Sequence, residues 1–175
     1  MVILNRRTMT LLLLLVLFCR FAPASSQQNE HPSEPFAAVD KDELAAASNE
    51  QTGRLQNLRD LPTTQSLYVV RLKGDVSSIG DRLRLPVLNH KSLVLSKTGG
   101  DTHDPKNFTW IGAVEGQQHG TATLVIRDGK VTGSIASPQG LYRINSLGDG
   151  LYAIVGVDTR KMPAEEPPNR DSKKQ

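Results

Sequence analysis

The sequence predicts a mainly β domain: an antiparallel meander, arranged as a sheet or as a small sandwich or barrel, with a short N-terminal helix and a disordered leader and tail. Three observations predict it. From Leu67 onward, β-branched and apolar residues alternate with polar ones at the period of a strand. Asp128-Gly129, Pro138-Gln139-Gly140 and Gly148-Asp149-Gly150 interrupt that alternation at hairpin spacing. Both ends of the chain are too poor in apolar residues to offset the entropy of ordering them.

The first 24 residues read as a secretion signal. Arg6 and Arg7 form a positive n-region, Leu11 to Phe18 an apolar h-region, and Ala22-Pro23-Ala24 a small-residue cleavage site, with cleavage expected after Ala24. The apolar run is far shorter than the roughly 18 to 20 residues a membrane span needs, so no stable membrane anchor is expected. The whole chain carries a net charge of +3, but residues 1–24 hold Arg6, Arg7 and Arg20 and no acid, which leaves 18 basic against 18 acidic residues. A balanced mature chain gives no support for a nucleic-acid partner. The single cysteine, Cys19, also belongs to the signal, so the mature domain has neither disulfide nor thiolate and is held by packing. The expected location is secreted or periplasmic.

Residues 25–62 are expected to form a flexible leader with a helix over 40–51. Asp40 with Glu43 gives a capping-box-like start, and Leu44, Ala47, Gln51, Leu55 and Leu58 lie on one weakly apolar face; Pro62 ends whatever forms. Residues 63–160 are the β-rich domain. Leu67–Leu72, Arg82–Val87 and Ser92–Ser96 read as strands, with Gly99-Gly100 as a loop start. Phe108–Glu115, Thr121–Arg127, Lys130–Ser137, Leu141–Asn145 and Leu151–Val157 follow as a five-stranded meander. Asp128-Gly129 is the strongest local signal, because a type I′ turn demands positive φ at both positions. Whether the first three strands share a sheet with the later five is left open. Residues 161–175 read as a Pro-rich, charged tail. About 90 to 100 residues of β-domain suffice for one core.

The runs Phe108-Thr109-Trp110-Ile111-Gly112-Ala113-Val114-Glu115-Gly116, Ala122 through Ile135 and Leu141-Tyr142-Arg143-Ile144 carry a family likeness in their order and spacing. Together with Leu147-Gly148-Asp149-Gly150 through Val157-Asp158, they resemble the N-terminal pro-segment of bacterial secreted reprolysin-like zinc metalloproteases of the peptidyl-Asp type, from about Tyr68 to Pro168. The resemblance implies a β-rich domain whose Pro-rich end leads into a catalytic unit. It does not extend to the catalysis: the family's His-Glu-x-x-His, in which two imidazoles one helical turn apart hold zinc, does not occur in this sequence.

No catalytic, cofactor or metal site is expected. His103, Asp104 and His119 lack ligand spacing, and Ser134, His119 and Asp128 have no nucleophile elbow around them. Trp110 reads as a core residue with its indole N–H bonded to backbone. Arg127, Lys130 and Arg143 read as a solvated face, and Asn107-Phe108-Thr109 as a chance glycosylation sequon. The partner-binding candidate is the tail, Met162, Pro163, Glu165, Glu166, Pro167 and Pro168, because an extended Pro-rich segment loses little entropy when it lies along a cleft. The expected function is a non-catalytic, propeptide-like domain that binds a secreted zinc metalloprotease in trans as inhibitor or folding assistant. A peptide- or glycan-binding module and a truncated relic of a protease precursor stand as alternatives.

Overall fold

The computed structural model describes residues 31–87 and 91–163. All of them belong to the compact unit that starts at His31. The expected signal with its cleavage at Ala24, residues 88–90 and the tail from Ala164 lie outside the described residues.

Among the described residues, nine strands form one antiparallel sheet: β1 (Phe36–Ala38), β2 (Thr64–Leu72), β3 (Arg82–Val87), β4 (Lys91–Asp104), β5 (Asn107–Val114), β6 (Thr121–Arg127), β7 (Lys130–Ser137), β8 (Gly140–Gly148) and β9 (Leu151–Val157). Their order is β1-β2-β9-β8-β7-β6-β5-β4-β3, so β3 to β9 run as a continuous meander and β2 pairs with the last strand. The two outer strands then approach each other. Ser33, just before β1, bridges Leu83 in parallel: its N–H donates to Arg82 O at 2.9 Å, and Arg84 N–H donates to Ser33 O at 2.7 Å. The result is a nearly closed barrel, which leaves little open sheet edge. Pro86 sits in β3 on that seam, where the missing N–H costs no ladder bond.

The period-two alternation fills the interior. Tyr152 and Ile154 of β9, Ile144 of β8, Val131 and Ile135 of β7, and Leu124 and Ile126 of β6 point inward, with Trp110, Val114, Leu95, Leu93, Leu83 and Leu85 completing the core. β9 is buried on both faces, in keeping with its almost unbroken apolar run Leu-Tyr-Ala-Ile-Val-Gly-Val. Its outward residues Leu151, Ala153, Val155 and Val157 join Leu147 and Leu55 in a second cluster beneath the helices.

The helical region is split where one helix was expected over 40–51. α1 (Lys41–Ala45) starts at Asp40, whose carboxylate accepts from Glu43 N–H at 2.7 Å, and α2 (Asn49–Asp60) starts at Ser48. The first helix ends at its C-cap Ala46, and Ser48 and Gln51 form a complete capping box that starts α2, which runs on through Gly53. Gln51 Nε2 also donates to Gly148 O at 3.1 Å, tying α2 to the turn between β8 and β9.

Two further expectations are corrected. Residues 31–39 are barrel rather than flexible leader: Phe36 is 4 % exposed and meets Tyr152 edge to face at 5.7 Å. One aromatic anchor and the pairing to Leu83 outweigh the polar average of that segment. Gly99-Gly100 does not begin a loop, because β4 passes through it on a bulge between Lys97 and Gly99. The first three strands share the sheet of the later five. Asp128 and Gly129 have φ of 50° and 71°, the expected I′ geometry.

Candidate functional site

The two ends of the barrel differ. At one, the connection from β2 to β3 folds across, with Val76 and Ile79 buried, and Trp110 Nε1–H donates to Gly80 O at 3.1 Å. Trp110 is 1 % exposed and packs as a core residue against the capped end. The opposite end carries Val87, Lys91 and the β5–β6 and β7–β8 connections, and among the described residues the barrel opens there.

That opening is a hollow of about 800 Å³. Val87, Leu93 and Val114, all interior core residues, supply its apolar lining together with half-buried Tyr142. Lys91, Ser92, Glu115, Gln117 and Gln139 supply the polar lining. A second hollow of about 390 Å³ shares Gln139 and Tyr142 and extends to Gln65, Ser66 and Gly156 at the start of β2 and the end of β9. Size and lining fall in the range of ligand-binding clefts.

The charges at this end are unequal in availability. The Glu115 carboxylate accepts from Arg82 Nε at 2.6 Å and Nη2 at 2.7 Å, and also from the Ser96 hydroxyl. The Arg82 bonds, helped by Ser96, lower its pKa to about 2. Glu115 is therefore a locked carboxylate, unsuited to act as a base near neutral pH. Lys91 has no ion-pair partner among the described residues. Gln117 Oε1 is buried and accepts no hydrogen bond there. Among the described residues the opening combines an apolar floor with a lysine that has no ion-pair partner and a buried amide oxygen that accepts no hydrogen bond.

Met162, from the expected partner-binding tail, packs against the cluster beneath the helices. Pro163 is exposed, and Glu165, Glu166, Pro167 and Pro168 lie outside the described residues. Val157 pairs with Leu141 and Thr64, so the chain leaves β9 beside the open end. His103, against Asp101 at the far tip of β4, and His119, in the β5–β6 connection, stand at opposite ends of the barrel. Ser134 in mid-strand, His119 and the turn residue Asp128 are likewise not brought together. No group of three His, Cys, Asp or Glu side chains suited to a metal forms among the described residues. Arg127 and Lys130 are paired in register and Arg143 faces Ser134, all three exposed on the outer face. The Asn107 amide joins two hairpin tips, accepting from Asp128 N–H at 3.0 Å and donating to Asp104 at 2.8 Å. Gln117, Gln139 and Lys91 carry no sequence signal that marks them; separate hairpins bring them to one rim.

The fold is that of an antiparallel, nearly closed β-barrel domain. No family model matches the sequence. The chain is distantly homologous to the peptidyl-Asp metalloendopeptidase of Xanthomonas campestris pv. campestris, with 26% identity over 136 residues, covering 70% of this chain and 32% of that protein. It thus spans about a third of its relative's length. Among solved structures it is similar to a chain from "Structure of a chaperone-substrate complex", at a TM-score of 0.44 and 16% identity over 57% of this chain and 90% of that one.

Proposed function

We propose that this chain is a pro-segment-like barrel that docks on the catalytic unit of a secreted zinc metallopeptidase and inhibits it or assists its folding. The observation that carries the reading is the homology itself. It covers most of this chain and a third of a metalloendopeptidase. A rigid barrel that binds the native enzyme and not its unfolded chain stabilises the enzyme by mass action, and the same contact shields the cleft. The test mixes the purified full chain with the mature catalytic unit of the related metalloendopeptidase, then measures peptide cleavage and the yield of active enzyme after dilution from denaturant. Saturable loss of cleavage or a raised yield is expected. No change in either, with the chain in large excess, refutes the proposal.

A further inference from the structure

We infer that the open end of the barrel is a peptide-binding site, and that it takes an extended segment presenting one large apolar side chain followed by a carboxylate. The inference deepens the proposed function, on which its choice of partner rests: the segment would belong to the docked peptidase.

Three features of the opening select that ligand. Leu93 and Val114 are core residues whose side chains also line the hollow, so an apolar group entering there continues the barrel interior. Gln117 Oε1 is a buried amide oxygen that accepts no hydrogen bond among the described residues, and it asks for a donor such as a peptide N–H and not for an anion. Among the described residues the charge at the rim without an ion-pair partner is Lys91, since Glu115 is already held by Arg82 and Ser96. A peptide carboxylate complements Lys91, and a lysine or arginine at that position would meet an unbalanced cation. The hollow that continues past Gln139 and Tyr142 toward Ser66 gives an extended backbone a path across the end. An enclosed small-molecule ligand would leave that path unused.

The experiment titrates the full chain with blocked hexapeptides Ser-Gly-Phe-Glu-Gly-Ser, its Phe-to-Ser version and its Glu-to-Lys version, followed by calorimetry and by amide chemical shifts. The parent peptide is expected to bind and to shift amides of Leu93, Val114, Gln117 and Tyr142. Replacing Phe should weaken binding about ten- to a hundredfold, the scale of burying one aromatic side chain. Lys91→Ala should remove the preference for Glu over Lys. Gln117→Leu should weaken the parent peptide while leaving the thermal midpoint unchanged or higher, because it deletes an unpaired buried acceptor; a merely structural role for Gln117 would lower both. Absence of binding overturns the inference, as do equal affinities for the three peptides or shifts confined to the outer face around Ile111 and Val125. Peptide binding without any effect on the peptidase would leave the site standing and remove the docking partner. Inhibition that survives both Lys91→Ala and Gln117→Leu would do the reverse.

Discussion

Gly112→Ala probes how the capped end of the barrel is packed. A Cβ at Gly112 would lie 2.3 Å from Trp110 Cη2, 2.4 Å from Cζ3 and 2.6 Å from Ser96 O. All three are closer than carbon atoms tolerate, and one is backbone of the neighbouring strand. The indole cannot simply swing away, because the ring is 1 % exposed and its N–H is held by Gly80 O at 3.1 Å. Overpacking of this kind costs about 1 to 3 kcal/mol, and loss of the indole bond adds about 1, giving a destabilisation of about 2 to 4 kcal/mol. Urea unfolding followed by circular dichroism and by emission of the single tryptophan measures it, with an unchanged denaturant slope. Trp110→Phe leaves room for the methyl group, so the double variant should be less destabilised than the sum of the singles by about 1 to 2 kcal/mol. A cost below about 0.5 kcal/mol for Gly112→Ala, or strict additivity, would show that the ring does not rest on Gly112.

The remaining predictions concern the seam, the helix and acid stability. Phe36→Ala should cost about 3 to 5 kcal/mol and speed amide exchange in β1 and at Arg84, which hydrogen-deuterium exchange reads directly. Ser48→Ala should cost about 1 kcal/mol in urea unfolding through loss of the α2 cap, with Ser48→Asp retaining most of it. For Glu115 the folded pKa lies near 2 and its ordinary value is 4.5, so its contribution is fully present above about pH 4.5 and is lost as pH falls toward 2. Because that side chain is 33% exposed, the contribution should be about 1 kcal/mol or less, and Glu115→Gln should flatten the acid limb of the stability profile by that amount.

What the sequence disclosed and what it hid divide along the range of the interactions. Asp128-Gly129 and Gly148-Asp149-Gly150 are local chemistry, and the hairpins they specify stand where the dipeptides placed them. Barrel closure is not local: it depends on Ser33 meeting Leu83, and no pattern within either segment announces that pairing. The same holds for β1, where Phe36 is the one aromatic residue of a short segment and gains its role from Tyr152 across the core. Gly99-Gly100 carries a loop signal, but at Gly100 the space beside Thr109 O admits no side chain, so the glycine serves close strand approach in a bulged strand. The open end was the least legible part. Lys91, Gln117, Gln139 and Tyr142 come from three hairpins, and only the curvature of the sheet gives them a common rim. Of the Pro-rich tail, Met162 packs against the outer face of β9 and its neighbours, a contact between distant segments that the composition of the tail does not announce.

Hydrogen-deuterium exchange on the full chain, alone and with the catalytic unit of the related metalloendopeptidase, tests docking and its location in one measurement. The account predicts slowed exchange at residues 91–94, 114–117 and 139–142, appearing at the peptidase concentration that abolishes cleavage. Unchanged exchange throughout, or protection only on the outer face of β5 to β7, would contradict it.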